Sequence, residues 1–309
     1  MPELRVNQIV IEYDSFGSED AEPILLISGL GAQMIRWSVP FCRALASRGY
    51  RVIRFDNRDA GLSTHLDEAP VPDLASVAAA LARGEAPNVP YTLRDVAGDT
   101  IGVLDGLSIE QAHIVGRSMG GMIAQLVASE HPHRTLSLTS IMSGSGNPEN
   151  PPPAPEVMTL LISPAPHPSE DEAGFLAHRM AWSRLISGRR YPFDEAAQRI
   201  EILAEVGRAY DPAGFCRQIA AIAATGDCRA LLSKIDVPTL VVHGSDDPLI
   251  PLEAGKDTAA NIRGAELLVV QGMGHEIPSP LYETVAAAID NNARRANQTG
   301  KLKTNNHAG

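Results

Sequence analysis

Short apolar runs, each bounded by glycine, proline or aspartate, recur along the chain and set its pattern of hydrophobic positions. Runs of this length between turn residues are typical of strands that are buried on both faces of a sheet. The pattern therefore predicts strands at residues 24–27, 52–55, 112–115, 136–142, 239–242 and 267–270.

Between these runs lie stretches whose apolar residues recur at helical spacing, so that they line one face of a helix. These stretches cover residues 37–47, 93–107, 119–130 and 281–295. Alternation of strands and helices is typical of an α/β protein in which helices flank a mostly parallel central sheet. The opening segment, residues 5–13, alternates less regularly and is expected to form an antiparallel edge strand.

The strand pattern is interrupted between residues 143 and 232. The interruption starts with a proline-rich segment, residues 147–155, that can join neither a helix nor a sheet. Helical patterns follow at residues 170–187 and 194–210. A long insertion of this kind is either a surface excursion or a mobile lid over a site, and we favour a helical cap.

This interruption divides the chain into three parts. We expect residues 1–144 and 233–296 to form the core and residues 145–232 to form the helical cap. The polar residues 297–309 lack periodicity and are expected to be a disordered tail.

Composition excludes several classes of function. A chain of 309 residues, 44% hydrophobic and 20% charged, has the composition of an ordinary globular protein with a large core. Its net charge of −11 opposes binding to nucleic acid or to an anionic membrane. The three cysteines are too few for a disulfide framework, and no segment resembles a leader or a membrane span. We therefore expect a cytoplasmic protein, as a monomer or a homo-oligomer.

A serine lies at a predicted strand-to-helix turn, within the sequence Gly116-Arg117-Ser118-Met119-Gly120. Such a turn holds the serine in a strained backbone conformation, and side chains two residues away on either side would collide with the adjacent strand and helix. Glycine at 116 and 120 removes those collisions. The pattern predicts that Ser118 is the nucleophile of a hydrolase.

A serine nucleophile needs a base within hydrogen-bond reach and a carboxylate that holds this base in its useful tautomer. His275 follows the last predicted strand and the glycine of residue 274, so its loop can present a free imidazole. Acidic residues follow the strand at 239–242, at the end where parallel sheets gather their sites. Asp247 is the expected carboxylate, and the adjacent Asp246 competes with it.

Other ionisable residues have simpler interpretations. His243, at the end of a predicted buried strand, is interpreted as a structural histidine, and His131 and His133 are expected to face solvent after a helix. The charged residues of segment 56–59 are interpreted as an internal ion pair that braces a loop, rather than as a metal site. Arg117 could bind either a substrate carboxylate or acidic residues beneath the turn.

Two further motifs join the serine turn and the loops of the expected acid and base. Together they make the chain resemble the α/β-hydrolase family over nearly its whole length, apart from the cap and tail. Residues 28–31 are similar to the family's His-Gly-x-Gly loop, with Ser28 in place of histidine. Residues 56–63 are similar to its Asp-x-Arg-Gly-x-Gly-x-Ser stretch, with Asp59 in place of glycine. The family's acid motif aligns with Asp247, and the order of serine, aspartate and histidine along the chain is also that of the family.

The resemblance implies an α/β-hydrolase fold whose oxyanion hole consists of the backbone N–H groups of Leu30 and Met119. It also implies two-step acyl transfer on a small-molecule ester, with no metal and no organic cofactor. Within the family, Asp59, residues 272–275 and the Pro278-Ser279 that follows resemble the methylesterases that cleave a methyl ester on a polyketide glycoside. A carboxylesterase or methylesterase is therefore the expected function.

Several alternatives stay open within the same fold. Lactonases, carbon–carbon bond hydrolases and perhydrolases share the serine triad, and some members are small-ligand receptors with slow turnover. These proteins differ in the pocket that binds the ligand. We assign Met273 to this pocket because it neighbours the expected base, and Trp182 because it lies in the expected cap.

Overall fold

A mostly parallel sheet forms the centre of the computed structural model, which describes residues 2–305 and the side chains of residues 2–298. In this part of the chain the strands are β1 (Glu3–Val6), β2 (Ile9–Phe16), β3 (Glu22–Ile27), β4 (Tyr50–Phe55), β5 (Ala112–Arg117), β6 (Thr135–Ile141), β7 (Thr239–Gly244) and β8 (Glu266–Val270). They form one sheet in the order β1-β2-β4-β3-β5-β6-β7-β8. All predicted strands are present, and their ends differ from the predicted ones by two residues at most.

The first two strands are antiparallel to their neighbours, and the other pairs are parallel. The single edge strand expected at residues 5–13 is instead a hairpin of β1 and β2. Its turn is formed by Asn7 and Gln8, whose φ angles of 47° and 68° both lie in the left-handed region. A two-residue turn with positive φ at both positions matches the twist of the strands that it joins.

Helices cover both faces of the sheet, as predicted. They are α1 (Val39–Ala46), α2 (Leu74–Ala82), α3 (Leu93–Gly106), α4 (Met119–Glu130), α5 (Pro155–Ile162), α6 (Glu172–Ile186), α7 (Glu195–Arg208), α8 (Pro212–Thr225), α9 (Arg229–Leu232), α10 (Leu252–Asn261) and α11 (Tyr282–Asn305). The sequence predicted no element where α2 lies. Its N-terminus is capped by Asp73, whose carboxylate accepts from the N–H groups of Ala75 and Ser76.

The apolar core has two layers because successive side chains of a strand point to opposite faces. In β3, Leu25 and Ile27 pack into the layer beneath α3 and α4. Ile24 and Leu26 pack into the layer beneath α1 and α11. Burial on both faces explains why this strand reads as an uninterrupted apolar run in the sequence.

The insertion between β6 and β7 contains α5 to α9, and two of these helices agree closely with the helical patterns in the sequence. The last one, α9, packs against α4, and its Leu232 belongs to the apolar core beneath that helix. At the C-terminus, α11 continues to Asn305, into the region expected to be disordered. Residues 306–309 of the expected tail lie outside the described residues.

The order of the strands reverses next to β3, which lies between β4 and β5. Such a reversal opens a crevice beyond the carboxyl ends of the central strands, because the following loops turn away from one another. The ends of β3 and β5 are paired here, with Ile27 opposite Gly116. The loop that contains Leu30 and the turn that contains Ser118 therefore meet at this crevice.

Candidate active site

Ser118 lies at a strained turn between β5 and α4. Its φ of 54° and ψ of −127° place a non-glycine residue in a region that costs about 1–3 kcal/mol. The turn is possible because glycine stands on both sides: a Cβ at Gly116 would collide with the carbonyl of Gly120, and a Cβ at Gly120 would collide with the carbonyl of Ile27. The serine hydroxyl is thereby held at the end of the sheet.

The three predicted side chains lie within hydrogen-bond distance of one another. His275 Nε2 lies 2.9 Å from Ser118 Oγ, and His275 Nδ1 lies 2.7 Å from Asp247 Oδ2. A carboxylate only accepts hydrogen bonds, so Nδ1 carries the proton and Nε2 is free to accept from the serine hydroxyl. The arrangement can move a proton from Ser118 to His275.

Asp247, and not Asp246, is the carboxylate that contacts the histidine. The side chain of Asp247 is fully buried, and its second oxygen accepts from the N–H groups of Leu249 and Ile250 at 2.9 and 2.8 Å. These bonds fix the orientation of the carboxylate. Asp246 is exposed, and its nearest partner is the hydroxyl of Ser245 at 2.8 Å.

His243 is buried behind this group, as expected of a structural histidine. Its Nε2 lies 2.8 Å from the carbonyl oxygen of Ile250 and 3.7 Å from Asp247 Oδ2. Burial lowers the pKa of His243, so a neutral ring is favoured. Its ring packs against Gly255, where a Cβ would collide with it.

The two predicted oxyanion donors have no competing partner. In residues 2–305, neither the Leu30 N–H nor the Met119 N–H donates a hydrogen bond to protein. The Ser28 hydroxyl, which replaces a histidine of the family pattern, is buried without a partner as well. The Ser28 carbonyl instead accepts from the side chain of Asn57 at 3.1 Å, which holds the start of this loop.

A cavity of about 310 Å³ lies beside Ser118 and His275. Trp182 of α6 lines it, together with Met119 and apolar residues of the insertion. Met273 lies elsewhere: it is fully buried in the core layer beneath α1 and α11 and is not among the lining residues. Its nearness to His275 along the chain does not bring it to the cavity, because the backbone of this loop turns its side chain into the core.

Charged residues line one side of the same cavity. Arg36 donates to Glu205 at 2.8 and 2.7 Å and to Glu201 at 3.0 Å. Burial opposes ionisation of Glu205, but Arg36 outweighs it and lowers the pKa of Glu205. Glu276, next to the histidine, has its pKa raised by burial. Arg117 lies over the ring of Trp37, with its guanidinium carbon 5.3 Å from the ring centroid.

The charged residues 56–59 do not form an ion pair among themselves, contrary to expectation. Asp56 pairs with Arg208 of α7 at 2.9 Å. Arg58 pairs with Asp99 of α3 at 2.6 Å, and Asp59 pairs with Arg217 of α8 at 2.8 Å. The loop after β4 is therefore braced from other elements, two of which belong to the insertion.

One cluster of side chains invites comparison with a metal site. Asp59, His65 and Asp211 each offer one ligand atom, and these atoms lie within 4.8 Å of one another. Arg217 already donates to both carboxylates, at 2.8 and 3.2 Å. A metal cation would have to share them with this guanidinium, so the donor set does not fit a metal ion.

The sequence reasoning missed the polar residues of the insertion that contact the core. Gln218 and Arg217 of α8 are both 1% exposed, and Glu205 of α7 is 7% exposed. Their partners lie more than a hundred residues earlier in the chain. A polar residue on a helix gives no local signal of burial, so a single sequence does not distinguish these contacts from a solvated face.

Residues 22–279 match the protein family described as alpha/beta hydrolase fold. The chain therefore belongs to the α/β-hydrolase family and is a hydrolase, which confirms the prediction from its motifs. Among the described residues, no helix combines the length and the apolar character that crossing a bilayer requires.

Two curated relatives align over almost the whole chain. They are rhodomycin D methylesterase DauP from Streptomyces sp. strain C5, at 30% identity, and rhodomycin D methylesterase DnrP from Streptomyces peucetius, at 29% identity. Each alignment covers 94% of this chain and 97% of the relative. The predicted likeness to methylesterases is confirmed.

A solved structure, the enol-lactonase from Burkholderia xenovorans LB400, superposes with a TM-score of 0.69 at 23% identity. The superposition covers 94% of this chain and 99% of the enol-lactonase chain. At this identity the similarity shows a shared fold.

Proposed function

We propose that this chain hydrolyses carboxylic esters, methyl esters in particular, through a covalent acyl-enzyme. Ser118 is the nucleophile, His275 is the general base and acid, and Asp247 orients the imidazole. The observation that carries the proposal is the continuous set of contacts from Asp247 Oδ2 through His275 to Ser118 Oγ, at 2.7 and 2.9 Å.

In the first half-reaction, Ser118 Oγ attacks the ester carbonyl while His275 Nε2 takes its proton. The carbonyl oxygen becomes an oxyanion, which the N–H groups of Leu30 and Met119 stabilise from positions that need no rearrangement. His275 then gives the proton to the leaving alcohol. In the second half-reaction His275 activates a water, which attacks the acyl-enzyme and releases the acid and Ser118.

Helices α5 to α8 act as a cap in this proposal. They supply one wall of the cavity, including Trp182 of α6 and Phe215 of α8. This wall is mainly apolar, so it can exclude water other than the attacking molecule and select the shape of the substrate. The chemistry needs no metal or organic cofactor.

The relatives support an ester as the substrate. Both rhodomycin D methylesterases are named for a methyl ester, and each aligns with 94% of this chain. Lactone, carbon–carbon or carbamate hydrolysis would use the same nucleophile, since each also passes through a tetrahedral oxyanion.

The test is hydrolysis of methyl esters and of p-nitrophenyl acetate by the purified protein. Ser118→Ala and His275→Ala are each expected to lower kcat by about 10³-fold or more, because the two groups act as a unit. His133→Ala, which changes an exposed histidine, serves as the matched control. A fluorophosphonate probe should label the wild type at Ser118.

Turnover retained by Ser118→Ala, or labelling at another serine, would contradict this assignment. Rapid cleavage of lactones or of vinylogous diketones, with methyl esters untouched, would keep the mechanism but replace the substrate class.

A further inference from the structure

Arg117 is a half-buried cation in the wall of the candidate active site. It lines the same cavity as Ser118, the residue that follows it in the chain. Within residues 2–298 its guanidinium makes no hydrogen bond, and no carboxylate oxygen lies within the 4.0 Å that defines an ion pair. An unpaired charge in such a place is costly, so a ligand that pairs with it would recover that cost on binding.

An aromatic surface holds this guanidinium in place. It lies 5.3 Å from the Trp37 ring centroid, and Trp37 stacks on Phe41 with centroids 5.5 Å apart. Phe41 in turn meets Tyr282 edge to face at 5.6 Å. The face of an aromatic ring attracts the guanidinium cation but accepts no hydrogen bond from the N–H groups that lie in the guanidinium plane. Arg117 is therefore positioned but keeps its donors available.

The other arginines of the cavity are already occupied. Arg36 donates to Glu205 and Glu201. Arg179 lies 3.7 Å from the same Glu205. Among the described residues, Arg117 differs from both in having no carboxylate within ion-pair distance, although Glu201 and Glu205 act on it from farther away.

Glu276, a further carboxyl group of the cavity, does not serve as that partner. It forms no ion pair within the described residues. Burial raises the pKa of Glu276, and the positive charges of Arg36 and Arg117 offset only part of that shift. Glu276, Glu201 and Glu205 act on Arg117 only through space, so the N–H donors of its guanidinium are left for a ligand.

A second donor in the cavity is also without a partner. Both ring nitrogens of His178, on α6, are buried and make no hydrogen bond in the described structure. The rest of the lining is rich in apolar side chains, namely Met119, Met122, Met142, Met158, Trp182, Ile186 and Ile222. Such a cavity suits a mainly apolar ligand that carries one polar, acidic group.

We propose that Arg117 binds a carboxylate of the substrate, so that the preferred esters are those with a second, ionised acid group close to the scissile ester. This inference rests on the proposed ester hydrolysis and names its substrate class. The guanidinium can donate two parallel hydrogen bonds to a carboxylate, which fixes the orientation of the ester as well as its affinity. Arg117 and Ser118 line the same cavity, so one substrate molecule can reach both, and esters with spacers of different length measure the separation of its two groups.

The first test compares the monomethyl esters of succinate, glutarate, adipate and suberate with the matching dimethyl esters. Arg117→Met keeps the side-chain length and removes the charge. We expect it to lower kcat/KM for the monomethyl esters by about 10- to 100-fold, the usual effect of a lost hydrogen bond to a charged group, and to change the dimethyl esters little. Arg117→Lys should restore part of the loss.

Arg263→Met is the matched control, because it removes the same charge from a side chain that is 82% exposed. It should leave both ester classes unchanged. Equal losses on the two ester classes in Arg117→Met, or no preference of the wild type for any monomethyl ester, would overturn the inference.

The second test is independent of turnover. Titration calorimetry on Ser118→Ala should show that the best monomethyl ester binds more tightly than its dimethyl counterpart, and that adding Arg117→Met removes the difference. If the wild type cleaves neither class, the proposed function fails, and this binding difference still decides the role of Arg117. Equal binding of both esters by Ser118→Ala would refute it.

Discussion

The side-chain oxygen of Gln218 accepts a hydrogen bond from the backbone N–H of Gly31 at 2.8 Å. The amide nitrogen of Gln218 donates to the carbonyl oxygen of Arg58, also at 2.8 Å. One residue of α8 therefore holds two loops of the core, and the first of these loops contains Leu30. The insertion helps to position the expected oxyanion donor as well as to cover the cavity.

Gln218→Leu removes this support while keeping a similar side-chain volume. We expect kcat to fall about 10-fold, because Leu30 N–H then meets the developing oxyanion less accurately, and KM to change less. Steady-state kinetics on p-nitrophenyl acetate measure both. Gln111→Leu, at an exposed position, is the control. A rise in KM with kcat unchanged would show that Gln218 acts on binding instead.

Asp247→Asn tests the orientation of the imidazole. The amide offers an N–H where the carboxylate accepted one, so the ring is driven towards the tautomer that cannot accept from Ser118. We expect kcat to fall by about 10⁴-fold with the fold intact. Asp246→Asn changes the adjacent, exposed carboxylate and should have little effect. Comparable losses in the two variants would contradict the assignment of the acid.

Gly116→Ala tests the turn at Ser118. A Cβ at this position collides with the backbone of Gly120 and Gly121, which cannot move without displacing α4. We expect a loss of about 3 kcal/mol in the free energy of unfolding, measured with urea. In Gly207→Ala, the new Cβ points from an exposed helical position into open space, so this control should gain about 1 kcal/mol. Similar values for both variants would argue against a sterically fixed turn.

His65 contacts Asp211, the residue that precedes α8, and its charge is expected to make this contact dependent on pH. Its Nδ1 lies 2.7 Å from Asp211 Oδ2 and its Nε2 lies 2.9 Å from the Gly61 carbonyl. Both partners are acceptors, which suits an imidazolium. Burial alone would lower the pKa of His65, but Gly61 and Asp211, with Asp59 nearby, raise it on balance. Arg217, which pairs with both acids, is the opposing positive charge.

The pKa of His65 is higher in the folded than in the unfolded protein. The charged imidazole therefore stabilises the fold fully below the unfolded pKa of about 6.5, and this stabilisation is lost as pH rises through the folded pKa. We therefore expect His65→Gln to lower the free energy of unfolding by about 1 kcal/mol more at about pH 5.5 than at about pH 9. Urea unfolding at the two pH values measures this, with His133→Gln as an exposed control. A cost that is independent of pH would exclude the charged imidazole.

Much of the fold could be predicted because its signals are local. The strands of the parallel sheet are buried on both faces and read as apolar runs, and α4 begins at the residue that the strand-to-helix turn requires. The hairpin at Asn7 and Gln8 was not recognised, since neither residue is a glycine that would mark positive φ. The extent of α11 was underestimated, because its polar C-terminal part has no apolar face to detect.

By itself, the sequence determined the α/β architecture and pointed to Ser118, Asp247 and His275, because glycine spacing, strand ends and chain order are local or ordinal properties. Only the tertiary structure decided the partners of each charge. It turned Met273 into the core, tied Asp56 and Asp59 to arginines of the insertion, and left Arg117 on an aromatic face with no ion-pair contact to a described carboxylate. Those outcomes depend on which distant side chains meet when the sheet and the insertion pack together, and no pattern along the chain encodes these distances.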